Sequence, residues 1–398
     1  MKILVSNIGS TSFKFRLFEM GESAEREIAS GGADRIGGSG GKLRLAGGEG
    51  APAVIERDFA DHGACIVAVL EQLVQRGVLS SPKDLDAVAF KAVVGGDCEP
   101  VSLVDEALLE RMEYLVPIGP AHNPPYIAAM RMFAKVLGDT PLVAAFENGF
   151  HHTIPARRKY YAVPPQWAHE YGIRRYGYHG ASHRYIATRT AELMPEAKRV
   201  ISCHLGGSSS ICAIRDGASV ATSMGLSPQS GLPQGTRAGE FDPFAFALLK
   251  AQTDMTVEEM LEILGGRSGL AALSGTSGDN RDIEAAAAAG DEMAAMTQQL
   301  FATAVRDYVG AYLVELGGAD ALVFTGGIGE KNAAFRADVC KPMAFAGIRL
   351  DGEKNAAGPD ERRIDAADSK TAVWVMPTNE ELIVARQAVE LLTGKAKA

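Results

Sequence analysis

One design occurs twice in this chain, and it limits the available folds more than any other feature. In the first copy, Ile3-Leu4-Val5 leads through Asn7 to Gly9 with Ser10, Thr11 and Ser12, and then to Phe13-Lys14-Phe15-Arg16-Leu17-Phe18. In the second, Val200-Ile201 leads through His204 to Gly206-Gly207 with Ser208, Ser209 and Ser210, and then to Ile211-Cys212-Ala213-Ile214. Each copy reads as strand, Gly/Ser turn, strand, with a polar residue just ahead of the turn. Glycine lets the backbone come close to a ligand, and turn N–H groups with hydroxyls form a cavity for an anion. Either copy alone is an ordinary hairpin. A copy opening each half predicts two α/β domains facing each other across a phosphate site.

The length agrees, since 398 residues exceed what one hydrophobic core serves. The first domain is expected over 1–150 and the second over 151–381. Leu85–Phe90 is a buried strand running into Lys91, Leu142–Phe146 a strand ending at Glu147, and Ala321–Phe324 a strand running into Thr325-Gly326-Gly327-Ile328-Gly329-Glu330. Strand ends of this kind are where α/β folds place ligands. Helical periodicity marks His62–Arg76, Ile127–Leu137, Ser182–Leu193 and Asp291–Leu316. Gly21–Gly50 is glycine-rich and is expected to be loops with edge strands. Ser223–Asp242 is a long loop of the kind that usually carries function. Thr378 and Glu381 have capping-box spacing at the start of a last helix.

Composition narrows the function. A net charge of -9 argues against a sequence-independent nucleic-acid binder. No apolar run approaches the ~20 residues of a membrane helix, and a strand directly after Met1 is not a signal peptide. Five scattered cysteines without CxxC spacing fit reduced thiols in a cytoplasm. Neither the dinucleotide fingerprint nor the P-loop pattern occurs.

The remaining candidates suit phosphoryl transfer. Arg237 lies in a glycine-flanked loop, and its planar fork suits the equatorial oxygens of a transferring phosphoryl group. His122 and His179 sit in loops and could donate to such oxygens, although a lone histidine is more often structural. Glu147 and Glu380, at a strand end and a helix start, could hold Mg²⁺ with phosphate oxygens and water; the plain alternatives are a solvated acid and a favourable charge on the helix dipole. Asp279 and Arg281 could flank a base or ribose, or merely begin a helix.

Taken jointly, these segments resemble the acetate kinase family (acetate, propionate and butyrate kinases) of the sugar kinase/Hsp70/actin superfamily. The resemblance spans essentially the whole chain. Its most specific parts are Tyr171-Gly172-Ile173-Arg174-Arg175-Tyr176-Gly177 and Pro377-Thr378-Asn379-Glu380-Glu381. It implies two duplicated actin-like (ribonuclease H-like) α/β domains with an active-site cleft between them, and a last helix, about 382–398, packing back on the first. It implies reversible transfer of the γ-phosphoryl of ATP to a short-chain carboxylate, giving acyl phosphate and ADP, in a homodimer. Asn7 and Glu380 would organise Mg²⁺, or Mn²⁺ in its place. Arg237, His179, His122 and Glu147 would act on the transferring group. Ser10, Ser12, Lys14, His204, Gly206 and Gly207 would line the phosphates, Asp279 and Arg281 the adenosine, with Gly327 and Gly329 beside the nucleotide.

The acceptor would lie among Lys91, Val93, Ala121, Tyr178 and Pro228, and here the chain departs from the family. Lys91 replaces an arginine, keeping the charge and losing the bidentate fork. Val94 stands for a histidine, Glu147 for an aspartate, Gly207-Ser208 for Asn-Gly and Lys331 for an asparagine. Ala121 for leucine and Tyr178 for phenylalanine predict a roomier pocket with an added hydroxyl, suited to an acid larger or more polar than acetate. Two other readings stay open: a kinase of the same fold using pyrophosphate or another acceptor, and a non-catalytic nucleotide-binding protein. Retention of Asn7, His122, His179, Arg237 and Glu380 counts against the second.

Overall fold

The computed structural model describes residues 1–21 and 24–395. The chain forms two compact units, one of Met1–Gly149 with Asn379–Ala398 and the other of Phe150–Thr378. Residues 396–398 of the expected last helix lie outside the described residues.

The first unit is built on an eight-stranded sheet of β1 (Lys2–Ile8), β2 (Phe13–Met20), β3 (Glu25–Asp34), β4 (Lys42–Gly47), β5 (Ala53–Glu56), β6 (Ala87–Ala92), β7 (Val101–Leu103) and β8 (Leu142–Phe146), ordered β5-β4-β3-β2-β1-β6-β8-β7. β2 alternates as a half-buried strand should, with Phe13, Phe15 and Leu17 inside and Lys14 and Glu19 exposed. Phe13, Phe15, Phe90 and Phe133 pack ring to ring in the core beneath the helix Asn123–Leu137. β1, β6 and β8 run parallel, so Asn7, Lys91 and Glu147 all arrive at one edge of the sheet. The helix Glu380–Thr393 packs on β1, β2 and β6.

Residues 24–50 differ from expectation in how much strand they hold. Where loops with short edge strands were expected, they supply two regular strands, β3 and β4, longer than expected and with β5 following. The glycines there serve close packing: a Cβ on Gly31 would stand 2.3 Å from the Arg44 carbonyl oxygen and 2.9 Å from the Phe15 ring.

The second unit holds a six-stranded sheet of β9 (Arg199–Leu205), β10 (Ser209–Arg215), β11 (Ala218–Thr222), β12 (Ala321–Thr325), β13 (Arg362–Arg363) and β14 (Ala372–Val375), ordered β11-β10-β9-β12-β14-β13. The pairing senses repeat those of the first sheet. β1 and β9 each pair antiparallel with the next strand and parallel with a later one, and β8 and β14 each carry an antiparallel neighbour at the far side. The repeated hairpin is therefore the visible end of a duplicated sheet. The helix Glu292–Leu316 buries Phe301, Val305, Val309 and Tyr312 in the core. Among the described residues no helix is long and apolar enough to cross a membrane.

One local expectation changes. The cap of the last helix is Asn379, whose side chain accepts from the Leu382 N–H, rather than Thr378. The glycine cluster into which β12 runs forms a short helix, Gly326–Lys331. Arg336 holds that helix in place. Its buried guanidinium donates to the carbonyls of Gly329 (2.8 Å) and Glu330 (3.0 Å), and to Asn355.

Candidate active site

In the first unit the polar residues gather where β1, β6 and β8 end. Lys91 forms an ion pair with Glu380 and lies 3.9 Å from Glu147. Burial alone would lower the lysine pKa, but the two carboxylates outweigh it and raise it, so the ammonium stays charged. Glu147 is buried, and its N–H is fixed on the Ala92 carbonyl at 2.8 Å. Asn7 Oδ1 accepts from the Tyr126 hydroxyl at 3.1 Å, and that hydroxyl accepts from the Ile8 N–H at 3.2 Å. Burial pushes the Tyr126 phenol up to about 12, so it remains a donor. Sequence reasoning missed Tyr126. The available signal was its position one helical turn beyond His122 on an apolar helix.

His122 is half-buried at the head of the helix Asn123–Leu137. The neighbouring Asn123 is structural, donating to the carbonyls of Val94 (3.1 Å) and Met112 (2.9 Å). The first hairpin turns through Gly9–Ser12, where the Gly9 N–H donates to the Ser12 carbonyl at 2.9 Å. Ser10 and Lys14 are exposed and Ser12 half-buried. Val93 is half-buried and Ala121 exposed.

The oxygen set of this edge fits a hard divalent cation. Glu380 and Glu147 already draw one cationic atom, the Lys91 ammonium, and Asn7 presents an amide oxygen. Among the described residues no group of three or more His, Cys, Asp or Glu could hold a metal. Mg²⁺ needs no such cage when phosphate oxygens and water complete its shell.

In the second unit the candidates surround the second hairpin. The Gly235 N–H donates to the Gly207 carbonyl at 3.0 Å, which ties the long loop to the turn. Arg237 on that loop reaches three neutral acceptors: Gln234 Oε1 at 3.1 Å, the Pro228 carbonyl at 3.3 Å and Ser208 Oγ at 3.4 Å. Among the described residues no carboxylate neutralises it, and burial lowers its pKa. A desolvated guanidinium set among neutral oxygens is a site for an anion. Ser208, one of the turn serines, is hydrogen-bonded at 2.7 Å to Gln234, which carried no sequence signal.

His179 stacks on His204 with ring centroids 4.3 Å apart. Its Nδ1 lies 2.8 Å from Ser210 Oγ, and His204 Nδ1 lies 2.8 Å from Ser182 Oγ. His179 adopts a left-handed backbone, φ 57° and ψ 31°, which for a residue other than glycine costs on the order of 1–3 kcal/mol. Such strain is a mark of functional positions.

A cavity of about 440 Å³ continues from the turn. Gly206, Gly207, Asp279, Arg281 and Gly327 line it as expected, joined by Glu284, Lys331 and Asn332. Gly207 and Gly327 leave open space where a Cβ would stand. Gly329 does not line it; a Cβ there would stand 3.3 Å from the Phe324 carbonyl carbon, so this glycine serves helix–strand packing. Asp279 caps the helix Asn280–Ala288 and takes both a bidentate contact and an N–H from Arg281, which brings its carboxyl down to about 2. Tyr178 is buried with its hydroxyl donating to the Leu226 carbonyl at 2.5 Å. The added hydroxyl is thus engaged, and the expectation of a more polar acceptor loses that support.

His151 bonds Ser219 Oγ and the Tyr178 carbonyl, and burial brings its pKa from 6.5 down to about 4. The unfolded chain therefore takes up this proton first. Stability present above pH 6.5 falls as pH drops towards 4, by about 3 kcal/mol from this group. Urea midpoints at pH 7 and pH 4 should show that loss, and His151→Gln should reduce it.

The comparisons agree along the whole chain. A family model described as the acetokinase family matches residues 2–386. The sequence is 40% identical to an acetate kinase of Carboxydothermus hydrogenoformans, over 99% of this chain and 100% of that one. It is 41% identical to an acetate kinase of Dictyoglomus turgidum, over 99% and 98% respectively. Among solved structures, an acetate kinase of Porphyromonas gingivalis superposes with a TM-score of 0.89 at 34% identity, over 98% of this chain and 100% of that one. A propionate kinase of Francisella tularensis does so with a TM-score of 0.89 at 32% identity, over 97% and 98%.

Proposed function

Because the chain belongs to the acetokinase family, we propose that it transfers the γ-phosphoryl group of ATP reversibly to a short-chain carboxylate, giving acyl phosphate and ADP. The single observation carrying this reading is Arg237: a partly buried guanidinium without a carboxylate partner among the described residues, tied to a Gly/Ser turn that opens into the cavity. The carboxylate acceptor is ionised at neutral pH, so the reaction needs positioning and charge neutralisation rather than a general base.

In this reading Arg237 and His179 donate to the equatorial oxygens of the transferring group, and His122 contributes beside them. The backbone of Gly206 and Gly207 follows the phosphates, and the cavity beyond takes the adenosine. Lys91 attracts the acceptor carboxylate, with Val93, Ala121, Tyr178 and Pro228 shaping its apolar side. Asn7 and Glu380 would hold Mg²⁺, which when bound neutralises charge on the phosphate oxygens. Large exposed apolar side chains at Phe244, Leu248 and Leu261 support a second copy of the chain as partner, a point for light scattering. The five free cysteines suit a reducing compartment, as in a cytoplasm.

Hydroxamate trapping of acyl phosphate, run with C2–C5 acids and with ATP, GTP and pyrophosphate in turn, should give product with ATP and a two- or three-carbon acid. Product with pyrophosphate alone would move the chain to another donor class. Nucleotide binding without turnover on any acid would leave it a binding protein. Lys91→Arg restores the fork and is expected to lower KM for acetate by about three- to tenfold with little change in kcat. An unchanged KM would mean that Lys91 does not touch the acceptor.

A further inference from the structure

Behind His179 lies a row of polar groups that phosphoryl transfer, as derived above, does not use. His179 Nδ1 is 2.8 Å from Ser210 Oγ, Ser210 Oγ is 2.8 Å from His183 Nε2, and His183 Nδ1 is 2.8 Å from Ser202 Oγ. Ser202, His183 and Ser210 are fully buried. His183 stands one turn beyond His179 on the helix Gly180–Leu193, Ser202 on β9 and Ser210 on β10.

Hydrogen counting fixes the direction of this row. A hydroxyl carries one hydrogen, and so does a neutral imidazole. Among the described residues the Ser202 hydroxyl has His183 as its one partner. If it accepted from His183, its own hydrogen would be buried with no acceptor; as donor it leaves only lone pairs unfilled, which is the cheaper arrangement. Ser202 therefore donates to His183 Nδ1. His183 then carries its hydrogen on Nε2 and donates to Ser210, and Ser210 donates to His179 Nδ1. The hydrogen of His179 falls on Nε2.

We propose that the row Ser202–His183–Ser210 sets the tautomer of His179, making Nε2–H a hydrogen-bond donor and opposing protonation at Nδ1. The proposal rests on the reading of His179 as a donor to the transferring phosphoryl group. Ser202, His183 and Ser210 are positioning residues. Protonating His179 at Nδ1 turns its bond to Ser210 round and strands one buried hydroxyl hydrogen, that of Ser210 or, if the whole row reverses, that of Ser202. The titratable rings packed against His183 are His151 at 5.7 Å and His179 and His204 at 6.5 Å. Burial and the rings of His151 and His204 hold His183 well below the usual histidine range, so it stays neutral and cannot donate from both nitrogens.

The test uses the full chain labelled with ¹⁵N-histidine and ring ¹H–¹⁵N correlation spectra from pH 8 to pH 5, with His179→Gln assigning the resonance. The native protein should show His179 neutral with its hydrogen on Nε2. A native His179 with the hydrogen on Nδ1, or already cationic at pH 7, overturns the proposal without any variant. Ser210→Ala should mix the tautomers, raise the His179 titration by about one pH unit, and cut kcat about tenfold with nucleotide KM nearly unchanged. Ser210→Thr, which keeps the hydroxyl, should restore both. A variant that loses thermal stability while His179 titrates as before shows a merely structural row and overturns the proposal. If tautomer and titration respond but kcat does not, the row is upheld and the donor role of His179 is what fails.

Discussion

Replacing Arg237 by alanine is expected to lower kcat about a thousandfold while the Kd for ADP changes by less than about threefold. The reasoning starts from what surrounds the side chain. Its contacts are the Gln234 amide oxygen, the Pro228 carbonyl and the Ser208 hydroxyl, none of which is charged. Among the described residues nothing therefore compensates the cation, and its charge is available to an anion. It does not line the cavity beyond the turn, so the ground-state hold on the nucleoside should survive its removal. An interaction that strengthens only as charge spreads over the transferring group lowers kcat and kcat/KM together and leaves binding alone. Arg237→Lys should recover only part of the rate, because a point charge cannot span two equatorial oxygens. Turnover by coupled assay and ADP binding by calorimetry separate the two quantities. Losses of equal size in both would make Arg237 a binding residue.

The second large effect concerns stability. Arg336→Met is expected to cost about 4 kcal/mol, read from urea unfolding. The guanidinium is wholly buried and its four bonds go to the Asn355 side chain and to the carbonyls of Gly329, Glu330 and Asn355. Burial brings its pKa from 12.5 down to about 10, so at neutral pH it is still a full cation. Methionine fills similar space but takes the guanidinium donor from the Gly329 and Glu330 carbonyls, at the end of the helix Gly326–Lys331, and from Asn355 Oδ1, while the Asn355 carbonyl keeps Arg362. That helix carries Gly327 to the cavity wall, so nucleotide affinity should fall as well, unlike in Arg237→Ala. A loss below about 1 kcal/mol would show that water replaces the guanidinium.

How much of this was legible in the sequence follows from the distances involved. The two hairpins were readable because each lies within one short segment with glycine and serine at the turn. Arg237 was readable because no apolar periodicity surrounds it. Asp279 and Arg281 were visible as a pair, and their mutual clasp is as local as the sequence suggested. Other features needed the fold. Lys91 and Glu380 are 289 positions apart, and only the parallel placement of β6 and the return of the last helix joins them. His183 sits on a helix with no motif, and its meaning depends on serines from two strands. The glycines of β3 misled because glycine marks both a turn and a place where neighbouring strands approach closely. Gly329 misled in the same way, since a glycine next to a phosphate turn and one that lets a helix sit on its strand read alike. Tyr178 was read as a polar handle because the carbonyl of Leu226, 48 positions on, is invisible to spacing.

The return of the helix Glu380–Thr393 to the sheet of the first unit has a consequence for biosynthesis. The second unit is one uninterrupted stretch and can form its core as soon as Thr378 has emerged from the ribosome. The first unit, although translated earlier, must wait with β1, β2 and β6 uncovered on one side until that helix appears. Through that interval Lys91 has only one of its two carboxylates within reach. A nascent chain arrested before the helix would thus present bare apolar strands, a ready target for chaperones.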